Sequence, residues 1–119
     1  MKMIASITAA FLGLVVFTTG NELTGRWESK PSVKGNVTGV VFKSDSSFEG
    51  YVNKKPFTSG RYLFENGLFS FTDNGCEGKR GIYRVIFFHN GDSLRLEPVS
   101  DSCVQRKEGM SKLILGRVK

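Results

Sequence analysis

Residues 21–119 predict an all-β fold, about eight antiparallel strands in an up-and-down meander that closes into a small barrel. Three observations predict it. Short runs of aromatic and β-branched residues alternate with polar ones at the two-residue period of a half-buried strand. Gly, Asn, Asp and Ser cluster between these runs at short intervals, where a chain of hairpins needs turn residues. No stretch beyond residue 20 carries a helical period, and the connections are short, as antiparallel neighbours allow. A meander of this length closes into a barrel that has no exposed edge. The alternative for the same strands is an open sandwich.

The elements follow from local pattern. Residues 24–29 form the first strand, and 31–35 a loop. Residues 36–43 carry Val37, Val40, Val41 and Phe42, and 43–46 read as a turn. Residues 47–53 alternate, with Phe48, Gly50 and Val52 on one face and Glu49, Tyr51 and Asn53 on the other. A turn at 53–56 leads to a strand at 58–65. Asn66-Gly67 suits the positive φ angles of a type I′ turn, the geometry that matches strand twist. The chain returns through 68–72, with Phe69 and Phe71 on one face. A Gly-rich loop at 73–78 holds Cys76. Residues 79–89 make the longest strand, with Tyr83, Val85 and Phe87 opposite Ile82, Arg84, Ile86 and Phe88. Apolar residues on both faces near its end predict cover on both sides. Asn90-Gly91 marks a second tight hairpin, and 93–99 alternates Leu94 and Leu96 with Arg95 and Glu97. The polar stretch 100–109 holds Cys103 and room for one helical turn. Residues 110–118 complete the meander.

Ahead of the barrel, residues 1–20 read as a signal peptide. Met1-Lys2-Met3 gives a basic start, residues 4–17 an uncharged and mostly apolar run, and Thr18-Thr19-Gly20 a small-residue site before Glu22. The run is shorter than the roughly 20 residues of a membrane span, so no stable membrane insertion is expected after cleavage. The expected location is secreted or periplasmic. Without Lys2 the chain carries 16 Lys and Arg against 11 Asp and Glu, a net charge of +5. These cations are spread in short pairs such as Lys54-Lys55, Lys79-Arg80 and Arg106-Lys107, the pattern of a solvated surface and not of a nucleic-acid patch. Two cysteines, Cys76 and Cys103, in an exported chain predict one disulfide. Closing that loop stabilises the fold by about 3–4 kcal/mol on a chain-entropy estimate.

Leu23-x-Gly25-x-Trp27, followed by an eight-strand meander and a late arginine, resembles the lipocalin-like (calycin) barrels, and in particular small exported bacterial domains of that kind. The resemblance covers most of residues 22–119 as pattern. It implies that Trp27 sits at a closed barrel end with a basic side chain across its indole. Arg117 is the first candidate for that side chain and Arg106 the second. A desolvated guanidinium over indole gains about 0.5–2 kcal/mol. The segment Asp101-Ser102-Cys103-Val104-Gln105-Arg106 also resembles those bacterial domains. It reads as a crossing loop tied to Cys76, in which Asp101 would cap a helical turn and Arg106 would bind a carboxylate or carbonyl groups.

Eight phenylalanines beyond residue 20, with Tyr51, Tyr62 and Tyr83, load the interior with rings. Phe42, Phe48, Phe64, Phe69, Phe71, Tyr83 and Phe87 are expected to point inward. They either fill the core or line a ligand cavity. Arg61, Arg84 and Arg95 lie on strands and are candidates to meet a ligand carboxylate at the mouth. No phosphate-binding Gly loop, Gly-x-Ser-x-Gly or metal-spaced His pair is present, so no catalytic residue, metal ligand or cofactor is assigned and the chain reads as a non-enzyme. His89, beside a turn, reads as a solvated hairpin residue. The leading expectation is a monomeric binder of a small apolar or amphipathic ligand. One rival is a protein-interaction module, since small periplasmic inhibitors of secreted metalloproteases share the barrel and the Gly-x-Trp start. Here only residues 21–26 precede Trp27, and both cysteines lie late. The other rival is a ligand-free envelope domain.

Overall fold

A computed structural model describes residues 22–119, and the signal segment expected at 1–20 lies outside the described residues. Eight strands follow in chain order: β1 (Gly25–Glu28), β2 (Thr38–Phe42), β3 (Ser47–Val52), β4 (Lys55–Glu65), β5 (Leu68–Asp73), β6 (Gly81–Phe88), β7 (Ser93–Ser100) and β8 (Ile114–Arg117). Helix α1 (Val104–Ser111) stands between β7 and β8. Each strand pairs antiparallel with the next, and β8 pairs back onto β1, with Trp27 opposite Arg117 and Glu28 opposite Gly116. The meander is therefore closed, and among the described residues no strand is left with an unpaired edge.

The turns explain the register. Asn66 and Gly67 have φ of 55° and 78°, and Glu65 pairs with Leu68 across them, a two-residue hairpin. The second hairpin is longer than the expected Asn-Gly pair. His89, Asn90 and Gly91 all have positive φ, and the loop closes only between Phe88 and Ser93. Strand β4 begins earlier than expected. Lys55 and Pro56 already pair with Val52 and Tyr51, and the ladder is irregular beside Gly50 and Tyr51, next to a proline with no N–H to give.

Alternation sets the two faces. Trp27, Phe42, Phe48, Tyr62, Phe64, Phe69, Phe71, Tyr83, Val85, Leu94, Leu96 and Leu115 point inward, and with Leu23 they form one buried core. Fully burying one such side chain contributes about 1.5–3 kcal/mol. The outward residues of β6, Ile82, Ile86 and Phe88, are half-buried, although the described residues form one barrel with no second sheet outside it.

Two expectations for the last segment change. The helix runs eight residues where one turn was expected, and the final strand starts at Ile114, not at residue 110. Met110 and Leu113 pack on the core from the helix end and its link to β8. The remaining helix is polar, and its Val104 is exposed. A single inward-facing apolar residue leaves no hydrophobic period to detect.

The two barrel ends differ. Turns 43–46, 66–67 and 89–92 gather at the end where β1 starts and β8 stops. Loop 29–37, the turn at 53–54, loop 74–80 and α1 gather at the other, which is called the helix end below. Loop 74–80 contains a 3-10 turn, Cys76–Gly78, and Cys76 is disulfide-bonded to Cys103 with a Cα–Cα distance of 5.9 Å.

Candidate functional site: the barrel interior and its helix-covered mouth

The closed end is built around Trp27, which is fully buried. Its Nε1–H donates to the Leu23 carbonyl at 2.9 Å. The Arg117 guanidinium lies 4.2 Å from the centroid of the indole. Arg117 also donates to the carbonyls of Glu22 at 2.9 Å, Thr24 at 3.3 Å and Gly91 at 3.4 Å. One side chain thus joins the chain start, the β6–β7 turn and the last strand. Gly25 is required by its backbone, with φ at +128°, and not by space, since a Cβ there would make only an ordinary contact of 3.5 Å with Arg117 Nη1. Phe87 and Phe64 pack above Trp27, at centroid spacings of 6.2 Å in each step.

Moving up the barrel, Phe42, Phe48, Tyr62 and Phe69 contact one another edge-on or tilted. These rings occupy the lower interior. They do not fill the whole of it. A void of about 170 Å³ remains, lined mainly by apolar side chains. Phe42, Phe48, Phe69 and Phe71 border it, Met110 and Leu113 border it from the helix end, and Asp73 and Arg106 are the charged residues on its wall. The cavity and core-filling alternatives therefore each describe part of the interior. Larger hollows lie outside the barrel. One of about 610 Å³ runs along the outer wall beside Arg26, Tyr51, Lys54 and Phe57.

The mouth is held by a network of charged groups. Asp101 has a wholly buried side chain. It receives Arg106 Nε at 2.8 Å on Oδ2 and Arg106 Nη2 at 2.9 Å on Oδ1, a two-pronged pair. The Tyr83 hydroxyl donates to Oδ2, and the Cys103 N–H donates to Oδ1 at 2.9 Å. Burial alone would push the Asp101 carboxyl up. The hydrogen bonds from Arg106, Tyr83 and Cys103 outweigh it and hold the group at about 2. Burial and the Asp101 carboxylate together push the Tyr83 phenol up, so it stays a donor. Arg106 completes the network with Nη2 on the Lys79 carbonyl at 2.9 Å and Nη1 on Asp73 Oδ1 at 3.3 Å. Its guanidinium sits 4.8 Å from the centroid of the Phe71 ring.

Several expected site residues lie elsewhere. Arg61, Arg84 and Arg95 are exposed on the outer wall, one position out of phase with inward Tyr62, Val85 and Leu94. Arg61 donates to the Asp45 carbonyl and Arg95 pairs with Glu97. Arg106 packs on Phe71 and not on Trp27. Phe64, Phe87 and Tyr83 point inward but stand away from the void's wall. Asp101 does not cap α1, whose N-cap is Cys103. His89 is exposed, with Nδ1 3.3 Å from Ser93 Oγ. Asp73 was missed in the sequence. It continues the Phe69, Phe71 alternation by one step, and that phase was its only signal.

Among the described residues, no group of three or more His, Cys, Asp or Glu comes together in a way that could hold a metal ion. Comparison with known protein families, curated proteins and solved structures gives no match.

Proposed function

We propose that this chain is an exported lipocalin-like barrel that takes a small apolar molecule into its interior. The observation that carries the reading is the apolar-walled void of about 170 Å³ behind Met110 and Leu113. A dry cavity of about 150 Å³ holds benzene or xenon, whereas drug-sized ligands occupy roughly 300–1,000 Å³. The ligand expected here has the bulk of one ring or a short chain, not of a long fatty acid. The calycin assignment is supported by the closed meander and by the Trp27–Arg117 stack at one end. The cysteine pairing and the pattern of residues 1–20 favour an exported chain. A protease inhibitor that acts through its N-terminal segment is less well supported. Leu23 is fully buried, and Arg117 holds the carbonyls of Glu22 and Thr24, so residues 22–24 are tied to the barrel.

Toluene titration followed by methyl NMR tests the reading. Saturable shifts of the Val40, Leu96 and Leu115 methyls are expected, with no shift of the Val33 methyls on the exposed loop. Val40→Phe places a ring in the void and should abolish the toluene response while leaving the domain folded. An absence of interior shifts at saturating toluene would refute the proposal.

A further inference from the structure

The void's wall carries charge as well as apolar side chains. Asp73 ends β5 on the same face as Phe69 and Phe71 and lines the void. Its side chain is only 10 % exposed. Oδ1 accepts the Gly75 N–H at 2.9 Å and Arg106 Nη1 at 3.3 Å. Oδ2 has no hydrogen-bond partner among the described residues. Arg106, 8 % exposed, is already committed: Asp101 takes Nε and one Nη2 hydrogen, and the Lys79 carbonyl takes the other. Its contact with Asp73 is the longest it makes to a carboxylate. One guanidinium thus stands between two carboxylates, and the cluster carries a net charge of −1. The adjoining cations are not directed at Asp73: Lys79 pairs with Glu77 and Arg80 donates to the Ser70 hydroxyl. Oδ2 is the accessible part of this nine-tenths-buried side chain, free to take a donor from a ligand, and beside an apolar void a cationic donor gains most.

We propose that the interior site takes a small apolar amine, with the ring or short chain in the void and the ammonium on Asp73 Oδ2. This rests on the reading of the void as a binding site and names its ligand class. The walls suit the apolar part of the ligand, since Phe48 and Phe71, which meet edge-on at 5.7 Å, both line the void. A carboxylate ligand would bring a second unpaired anion beside Asp73, a mismatch that discriminates by repulsion.

Four probes of nearly equal size separate the possibilities: toluene, benzyl alcohol, benzylamine and benzoate, each titrated into the protein at pH 7 by NMR or calorimetry. Benzylamine is expected to bind about tenfold or more tighter than benzyl alcohol, and benzoate not measurably. Asp73→Asn is expected to bring benzylamine down to the level of benzyl alcohol, and a cooperative urea unfolding transition shows that the variant is folded. The proposal is overturned if benzoate binds as well as benzylamine, if benzylamine gains nothing over benzyl alcohol, or if Asp73→Asn keeps the amine preference. Failure of toluene itself to bind overturns the interior site. Toluene binding without an amine preference overturns only the ligand class.

Discussion

Asp101→Asn tests what holds the helix end together. The Asp101 carboxylate is fully buried and receives four hydrogen bonds, from Tyr83, from Arg106 twice and from the Cys103 N–H. Asparagine keeps one acceptor oxygen and turns an NH₂ toward donors that have nowhere else to go. It also leaves buried Arg106 with the longer contact to Asp73 as its one carboxylate contact, beside the neutral Lys79 carbonyl. Removing one member of a buried ion pair costs about 3–5 kcal/mol. That is a large fraction of the roughly 5–15 kcal/mol by which a domain is stable. Urea unfolding of the disulfide-intact protein at pH 7 should show the midpoint falling with an unchanged slope. Acid supplies a second readout. The folded carboxyl titrates at about 2, below the ordinary value of about 3.9 expected when unfolded. A depressed carboxylate contributes stability that is complete above about pH 4 and is lost as pH falls toward 2. The wild type should therefore lose more stability over that window than Asp101→Asn. Adding Arg106→Met to the variant should recover part of the loss, because no unpaired guanidinium remains. A change below about 1 kcal/mol at pH 7, or equal acid slopes in the two proteins, would refute the reasoning.

Other consequences are as direct. Arg117→Ala removes a cation–π contact and donors to three carbonyls, and should cost about 2–4 kcal/mol, lowering the melting temperature by roughly 10 °C or more, while Arg117→Lys should recover only part of it. Replacing both cysteines, C76S with C103S, should cost about 3–4 kcal/mol in chemical denaturation. The barrel should nevertheless stay folded, because Arg106 also ties α1 to Asp73 and the Lys79 carbonyl. Gly60→Ala would drive a Cβ onto the Thr72 carbonyl oxygen and to 2.8 Å from Asp73 Cα, backbone atoms that cannot swing aside, and should cost about 1–3 kcal/mol or more by thermal unfolding.

Much of the barrel is legible in the residues themselves. A period of two dictates which side chains share a face once a strand is recognised, so the inward positions of Phe48, Phe69, Phe71, Tyr83, Leu94 and Leu96 follow from alternation alone. Asn66-Gly67 sets its hairpin because it tolerates left-handed backbone. The same rule, applied to arginines, points the other way: Arg61, Arg84 and Arg95 are out of phase with the core and belong to the outer wall. Their choice as mouth residues set residue type above phase. Helix α1 escaped because Met110 is the one apolar side chain of its own that it packs on the core, and its other inward residue, Arg106, adds nothing to an apolar period.

The sequence by itself determined the class of fold, the strand order and the disulfide partners, because each depends on local alternation, turn chemistry or a short roster of candidates, and the calycin resemblance put Arg117 ahead of Arg106 as the partner of Trp27. Tertiary structure alone decided the rest. Whether inward rings fill a barrel or leave a void depends on how side chains from eight strands meet across its axis. The charge of the mouth depends on Asp73 at the end of β5 meeting the segment 101–106 that carries Asp101 and Arg106. Sequence distance carries no measure of either, since both arise only when the meander closes and brings its ends together.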